Sequence, residues 1–217
     1  MRASNLKKRF FTSIILFFLI YLIFNSKFFL VLNLIIMGIF SLIEFFNLIK
    51  RIFINKIYSI IFNVLFTLYI FTFCSLFLTL SDFFQIKVLI FTLLMCCIIS
   101  DISGFVVGKS LQGPKLTKIS PNKTISGAIG SIVFTSIFLQ LFTFSISKNF
   151  EIKFFIYGSL ISIASQLGDL FFSYLKRKAK VKDTGRILPG HGGLLDRLDG
   201  IYFALPVGLF LATFLTK

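Results

Sequence analysis

Long apolar runs alternate with short polar segments along the whole chain. Each run is close in length to the roughly 20 residues that an α-helix needs to cross the hydrocarbon layer of a bilayer. The runs lie at about 10–25, 28–49, 57–80, 87–108, 125–147, 154–175 and 200–216. The pattern predicts an all-α, polytopic integral membrane protein with about seven transmembrane helices, organised as a single membrane-embedded domain over residues 1–217.

The composition supports a membrane protein. The 217 residues are 57% hydrophobic and 14% charged, and they include 32 phenylalanines, whereas a typical soluble domain has a smaller apolar share and about one quarter charged residues. Cys74, Cys96 and Cys97 lie inside apolar runs without metal-type spacing, so we expect them to be small buried apolar side chains. Function must therefore reside in the spans or in the short connections between them.

The basic residues predict an orientation in the membrane. Most of the 23 lysines and arginines fall in alternate connections, and the positive-inside rule places those connections in the cytoplasm. The N-terminus is then cytoplasmic and the C-terminus lies on the other side. The first run is followed by "NSKFF" rather than by a small-residue cleavage site, so we expect an uncleaved span. No nucleic-acid partner is expected, because the basic residues lie between spans and not on an aromatic-rich soluble surface.

Two of the predicted cytoplasmic connections, 108–124 and 176–193, are long and collect the polar chemistry. Carboxylates bind hard divalent cations such as Mg²⁺, while lysine and arginine bind phosphate oxygens directly. Glycines beside a helix start, as at 190, 192 and 193, allow backbone N–H groups to approach a phosphate. The combination predicts a polyphosphate site. Five of the eight acidic residues lie in these connections or at the adjoining helix ends: Asp101, Asp169, Asp183, Asp196 and Asp199.

The two aspartates inside apolar runs, Asp101 and Asp169, have two explanations. One is a structural polar contact between helices. The other is a binding role, which is favoured by small or polar residues at helical spacing beside each aspartate, because such faces let helices approach closely and present a carboxylate inward. These residues are Gly104 and Gly108 in one run and Ser162 and Ser165 in the other.

The glycine-rich segment and the basic run also have simpler explanations. Residues 190–193 would serve as a flexible helix connection, with His191 as a loop residue of no consequence. The basic run 176–182 would serve as a topology anchor beside anionic headgroups. An anchor explains the charge but not the interleaved Asp183 and Gly185. Asp196 and Asp199 are three residues apart, so both carboxylates share one face if the last helix begins here.

The stretch "SYLKRKAKVKDTGRILPGHGGLLDRLD", residues 173–199, resembles the defining motif of the phosphatidate cytidylyltransferases, also called CDP-diacylglycerol synthases. The segments "SDISGFVVGK", "SPNKTISGAIGS" and "QLGDLFFS" upstream of it are similar to further elements of that family. The resemblance covers about residues 98–217, which would form the catalytic spans and loops. The spans within about 1–97 match only as generic hydrophobic helices.

The resemblance implies an enzyme of phospholipid biosynthesis, and with it two substrates and a cofactor. The phosphate of phosphatidate would attack the α-phosphorus of CTP, giving CDP-diacylglycerol and pyrophosphate. The cofactor implied is Mg²⁺, alone or with a second cation. The implied setting is a bacterial cytoplasmic membrane, with the active site facing the cytoplasm and the protein forming a homodimer.

The resemblance also assigns roles to residues. Asp169, Asp196 and Asp199 would be catalytic and ligate the metal, and His191 would join them by donating a hydrogen bond or shaping the loop. No general base is needed, because the attacking phosphate is already anionic. The residues implied in substrate binding are Ser120, Lys123, Thr124, Lys176, Arg177, Lys182, Asp183, Gly192, Gly193 and Arg197.

The chain departs from the family pattern in three places. Phe172 stands where many relatives carry glutamate after "GDLF", which leaves the number of metal ligands in doubt. Ile125 and Ser126 stand where many relatives have Trp-Glu. Compared with the family pattern, we expect the chain to be shorter by one or two N-terminal spans.

Two rival functions follow from the same polar residues. A CTP-dependent lipid-alcohol kinase would also use a polyphosphate and a metal, but the spacing of the K-D-x-G, H-G-G and D-R-x-D elements argues against it. An ion or phosphate transporter would also carry carboxylates within its spans. Transport requires polar residues across the whole bilayer, whereas those of this chain concentrate at the predicted cytoplasmic end.

Overall fold

A computed structural model describes residues 21–185 and 192–215 of the chain. Within these ranges the fold is all-α, as predicted, and an isolated antiparallel bridge pairs Lys115 with Thr124. All six long helices are long and apolar enough to cross a membrane, so the chain is an integral membrane protein. The helices are α1 (Lys27–Ile52), α2 (Lys56–Leu80), α3 (Phe84–Leu111), α4 (Ile125–Ser147), α5 (Ile152–Lys178) and α6 (Leu195–Leu215).

The six helices coincide with the last six predicted spans. The first predicted span, 10–25, lies mostly outside the described residues, so the count of seven and the side of the N-terminus stay predictions. The largest difference is at α6, which begins at Leu195 instead of near residue 200. Asp196 and Asp199 therefore both lie within a helix.

The chain divides into two compact units. The first unit consists of Met1–Leu80 and Ala179–Asp196, and the second of Ser81–Lys178 and Arg197–Lys217. Helix α6 thus contributes its first two residues to the first unit and the rest to the second.

Aromatic and small side chains hold α1 against α2 in the first unit. The rings of Phe45 and Phe66 stack with their centroids 3.8 Å apart. Gly38 lies against Ile70 and Cys74 of α2. Many large apolar side chains on these helices stay exposed, such as Leu65 and Phe71, as expected for faces that lie against lipid.

Glycines and serines bring the helices of the second unit together. Gly104 of α3 lies against Ser131 of α4, and the Ser131 hydroxyl donates to the Ser100 carbonyl at 2.7 Å. The hydroxyls of Ser100 and Ser162 connect α3 to α5 at 2.9 Å. Between membrane helices, where lipid is as apolar as leucine, close approach and polar contacts supply the attraction. The prediction that these small faces let helices approach closely is confirmed.

The apolar core of the second unit lies between α3, α4, α5 and α6. Cys96 and Cys97 are part of it, with 0% and 3% of their surfaces exposed, and they pack with Leu139 and Ile161. The prediction that these two cysteines are buried apolar side chains is confirmed. Cys74 is a free thiol that is only half-buried.

Candidate active site

Three aspartates approach one another in the second unit: Asp101 of α3, Asp169 of α5 and Asp199 of α6. Asp101 lies within electrostatic range of Asp169, and Asp199 lies within range of both. Asp199 is buried, with 8% of its surface exposed. We call these three residues the aspartate cluster. Like charges that interact repel one another, and neighbouring cations offset this repulsion.

The packing of α5 against α6 places two members of this cluster. Gly168 precedes Asp169 and lies so close to the backbone carbonyl of Asp199 that a Cβ at this position would collide with it. Gly200, the residue after Asp199, lies equally close to Ser165 of α5. The absence of a side chain at both glycines lets the helices touch where the two carboxylates emerge. The Asp199 carboxylate also accepts a hydrogen bond from the Gly200 backbone N–H at 2.8 Å.

Basic residues from three segments face the aspartate cluster. Lys123 makes an ion pair with Asp169. Lys176 lies within electrostatic range of Asp199, and Arg197 within range of Asp101. Lysine and arginine are the usual partners of phosphate oxygens in proteins. The cluster therefore combines carboxylates and cations, as the polyphosphate prediction requires.

The connection between α3 and α4 carries Lys123 on a short ordered turn. The Lys123 N–H donates to the Ser120 carbonyl at 3.1 Å. Thr124 caps α4, because its hydroxyl accepts from the Gly127 N–H at 3.1 Å, which satisfies a donor at the helix start. Arg177 of α5 donates from Nε to the Ile119 carbonyl at 3.2 Å. The predicted substrate-binding residues of this connection therefore lie on a turn that Arg177 and the α4 cap hold in place.

Asp196 belongs to the first unit, whereas the three residues of the aspartate cluster belong to the second. Its Oδ2 accepts hydrogen bonds from the Thr184 N–H at 2.8 Å, the Thr184 hydroxyl at 3.0 Å and the Gly193 N–H at 3.1 Å. The carboxylate thus joins the two described sides of the segment that holds residues 186–191. Asp196 and Asp199, predicted to act together as metal ligands, lie in different environments.

Glu44 of α1 also accepts hydrogen bonds from residues before and after the segment 186–191. It was not predicted as a site residue. It is buried, with 2% of its surface exposed. Its carboxylate accepts from the Thr184 hydroxyl at 2.7 Å, the Leu194 N–H at 3.0 Å and the Leu195 N–H at 2.8 Å. One sequence signal pointed to it: an acid within an otherwise apolar span normally has a specific partner. We call Glu44, Thr184 and Asp196 the loop anchor.

Two motif glycines are needed because the loop anchor is packed so closely. A Cβ at Gly185 or at Gly193 would collide with the Glu44 carboxylate. Gly192 has a φ of +84°, a backbone conformation that glycine adopts at the least cost. The glycines at 192 and 193 were predicted to approach a phosphate. The structure shows a further reason for each: a side chain at position 193 would collide with Glu44, and position 192 has a positive φ.

Lys182 and Asp183 line a pocket of about 590 Å³ in the first unit. The opposite wall comes from the end of α1, with Asn47 and Arg51. The predicted substrate-binding residues Lys182 and Asp183 are therefore next to a cavity. His191 and Gly190 lie outside the described residues.

The aspartate cluster contains oxygen atoms of the kind that Mg²⁺ binds. Mg²⁺ takes oxygen ligands and is commonly bound by one or two carboxylates, with water and substrate phosphates completing its shell. Asp169 and Asp199, on adjoining helices, supply such oxygens. Among the described residues, no group of three or more acidic, histidine or cysteine side chains is arranged as a complete metal site.

Phe172 occupies a position where the family pattern often has glutamate. Its side chain is 1% exposed, and its ring makes an edge contact with Phe171 at a centroid distance of 5.3 Å. It also contacts Phe203 of α6 at 6.5 Å. The residue therefore serves the packing of α5 against α6 and supplies no ligand.

Comparison with known proteins assigns the chain to a family. The family model described as the cytidylyltransferase family matches residues 1–215. The chain belongs to the cytidylyltransferase family. This cytidylyltransferase family member is similar to several curated proteins that bear the name phosphatidate cytidylyltransferase.

Three of these relatives illustrate the similarity of the cytidylyltransferase family member. The protein of Rickettsia bellii is 43% identical over 119 residues, which are 51% of this chain and 52% of the relative. That of Helicobacter pylori is 40% identical over 132 residues, 60% of this chain and 48% of the relative. That of Bacillus subtilis is 43% identical over 114 residues, 52% of this chain and 42% of the relative. The chain spans about half the length of the curated relatives it matches.

Proposed function

We propose that this protein transfers the cytidylyl group from CTP to phosphatidate, giving CDP-diacylglycerol and pyrophosphate. The observation that carries the proposal is the aspartate cluster with its three neighbouring cations, Lys123, Lys176 and Arg197. Family membership supports the cytidylyl chemistry. The names of relatives at about 40% identity support phosphatidate as the acceptor.

The proposed reaction needs charge neutralisation more than proton transfer. An oxygen of the phosphatidate phosphate bonds to the α-phosphorus of CTP. The bond from the α-phosphorus to the oxygen bridging to the β-phosphorus breaks, and pyrophosphate leaves with the bonding electrons. Because the attacking phosphate is already anionic, the site has to hold two anionic groups together. Cations on the protein reduce the repulsion between them.

The chain's own residues divide this task between them. Lys123, Lys176 and Arg197 bind phosphate oxygens, and they favour the charge distribution that develops as pyrophosphate leaves. Asp169 and Asp199 are the residues that would hold Mg²⁺, and Asp101 adds to the negative field that attracts it. When bound, the cation supplies further neutralisation of phosphate charge.

The proposed setting is a bacterial cytoplasmic membrane with the site on the cytoplasmic side. Thr184 of the loop anchor and Lys123, the ion-pair partner of Asp169, lie in the two long connections that the positive-inside rule assigns to the cytoplasm. A water-soluble nucleotide reaches a membrane lipid at such a boundary. A homodimer stays a prediction from the family resemblance.

The decisive experiment is a product assay on the purified protein in lipid nanodiscs. We expect Mg²⁺, CTP and phosphatidate to give CDP-diacylglycerol and pyrophosphate in equal amounts. Asp169→Asn should reduce the rate by about 100-fold or more, because it removes both a charge and the partner of Lys123. Asp82→Asn, an exposed aspartate in the turn between α2 and α3, is the matched control and should retain activity.

Other products would contradict the proposal. A phosphorylated lipid alcohol with CDP as the second product would make the protein a kinase. Full activity of Asp169→Asn would remove the aspartate cluster from the mechanism. Chelation of divalent cations should abolish turnover, and persistence of the rate without them would contradict the magnesium assignment.

A further inference from the structure

The pocket in the first unit has a wall that the family motif does not supply. One side is the segment Val181 to Gly185, within the motif, and the other is the last turns of α1. Its volume of about 590 Å³ falls within the range of small-molecule sites in proteins, about 300–1,000 Å³. Helix α1 lies far from the motif in sequence, so no motif comparison assigns it a binding role.

The α1 wall is aligned by the loop anchor. Asn47 and Arg51 follow Glu44 by three and seven residues, so all three lie on one face of α1. The hydrogen bonds of Glu44 to Thr184 and to the start of α6 hold this face against the motif segment. The hydrogen bonds that fix Thr184 therefore also align the two walls of the pocket.

The pocket lining carries more positive than negative charge. Arg51 and Lys182 contribute two cations, and Asp183 contributes one carboxylate. Neither cation takes part in an ion pair with another residue of the ranges 21–185 and 192–215. Two cations facing an open cavity form a suitable environment for phosphate oxygens.

We propose that Arg51 is a substrate-binding residue contributed by the N-terminal helices, and that in this pocket it contacts a phosphate oxygen of the nucleotide. The inference rests on the proposed function, which supplies CTP as the nucleotide. The lining favours a nucleotide over a lipid phosphate, because Asp183, Asn47 and Thr184 also offer hydrogen-bond acceptors. The ribose hydroxyls and the amino group of cytosine supply matching donors, whereas phosphatidate presents phosphate and ester oxygens without such donors.

A topology anchor at the end of α1 would account for the same arginine in another way. Lys50 and Arg51 are both basic, exposed and in the last turn of α1, and an anchor would use them equally. Lys50 does not line the pocket. Comparing variants of Arg51 and Lys50 therefore distinguishes a specific phosphate contact by Arg51 from an effect of general positive charge.

The test compares Arg51→Ala with Lys50→Ala in the full chain, purified into phosphatidylcholine nanodiscs containing phosphatidate. The KM for CTP is measured at saturating phosphatidate, and the KM for phosphatidate at saturating CTP. Arg51→Ala should raise the KM for CTP about tenfold, the loss of one charge-assisted hydrogen bond. The KM for phosphatidate should change less than about twofold. Lys50→Ala should match the wild type in both constants.

A direct binding measurement separates this inference from the proposed reaction. Binding of radiolabelled CTP to the wild type, weakened about tenfold in Arg51→Ala and not in Lys50→Ala, supports the pocket even if no CDP-diacylglycerol forms. Lys182→Ala, on the opposite wall, should weaken binding similarly and provides a second variant if Arg51→Ala proves unstable. Equal binding by wild type and both pocket variants overturns the inference. So does an effect confined to the KM for phosphatidate, which would assign the pocket to the lipid headgroup.

Discussion

Glu44 shows how one buried carboxylate can determine the conformation of a distant segment. Its two oxygens accept three hydrogen bonds, from the Thr184 hydroxyl and from the N–H groups of Leu194 and Leu195. Hydrogen bonds to a charged acceptor contribute about 1.5–3 kcal/mol each, and a buried group left without its partner loses the full cost of desolvation. We therefore expect the carboxylate to hold Thr184, Leu194 and Leu195 in place.

Glu44→Gln should weaken the hydrogen bonds to Thr184, Leu194 and Leu195. The amide keeps one acceptor oxygen but places an NH₂ group where N–H donors now point. The backbone at Leu194 and Leu195 should therefore lose about 1–3 kcal/mol of local stability. Hydrogen exchange in nanodiscs should show faster exchange of the Leu194 and Leu195 amides. Glu151→Gln removes an exposed ion pair with Lys153 and should cost less than about 1 kcal/mol.

Unchanged exchange at these amides in Glu44→Gln would contradict the loop-anchor role. Rescue is also informative. Glu44→Asp keeps the charge on a shorter side chain, so it should restore part of the protection that the glutamine variant loses.

Asp196 and Asp199 differ in what they contact, so their variants should fail in different ways. Asp196→Asn should speed exchange of the Thr184 and Gly193 amides, because both donate to Asp196 Oδ2. Asp199→Asn should leave those amides protected and lower turnover about 100-fold or more through loss of cluster charge. Hydrogen exchange and the product assay on the same samples distinguish the two effects. Identical exchange profiles for both variants would show that the two carboxylates act as one unit.

At the scale of helices, the second unit depends on positions without side chains. Gly168 brings α5 against α6 at Asp199, and Gly104 brings α3 against Ser131 of α4. Inside a membrane there is little hydrophobic gain from packing one apolar helix on another, so such close approaches carry much of the association energy. The geometry of the aspartate cluster is a product of this packing.

Gly168→Ala should destabilise the second unit and reduce activity together. The added methyl group would collide with the backbone carbonyl of Asp199, and overpacking of this kind costs about 1–3 kcal/mol. Gly38→Ala is the matched control, since its methyl group would meet Ile70 at an ordinary 3.5 Å and Cys74 at 3.7 Å. Because alanine has the higher helix propensity, this control should be neutral or stabilising by up to about 1 kcal/mol.

Thermal unfolding in detergent, followed by circular dichroism, measures both glycine variants. A lower Tm for Gly168→Ala with an unchanged or higher Tm for Gly38→Ala is the expected result. Equal shifts would mean that the α5–α6 contact is no tighter than the α1–α2 contact.

At the scale of the whole molecule, hydropathy alone predicted the described helices to within a few residues, because the bilayer sets the length of every span. The family resemblance predicted Asp169 and Asp199 as site residues, and the structure brings both into the aspartate cluster. The resemblance did not separate Asp196 from Asp199, because two residues three positions apart at a helix start share one face whatever they contact. Glu44 was not predicted as a site residue, because its hydrogen-bond partners lie 140 or more positions away and such pairs leave no pattern in a single sequence. Arg51 was not predicted either, because the other wall of its pocket begins only at Val181.

The predicted orientation can be tested by chemical labelling. In a variant without the three native cysteines, single cysteines at Ser110 and Lys180 should react with a membrane-impermeant maleimide only from the cytoplasmic side. A cysteine at Asn149, between α4 and α5, should react only from the opposite side. All three positions are exposed. Labelling of Asn149→Cys from the cytoplasmic side would contradict the proposed topology.

The hydrogen bonds of Glu44 also have a consequence for biosynthesis. They join residues separated by 140 to 151 positions in the chain, and contacts of such long range form late because most of the chain must first be in place. During translation, α1 is made well before the partners of its buried carboxylate, which lie at residues 184, 194 and 195. A nascent chain halted before residue 194 would hold Glu44 without two of its three donors, so a buried carboxylate of α1 would lack hydrogen bonds until the chain is nearly finished.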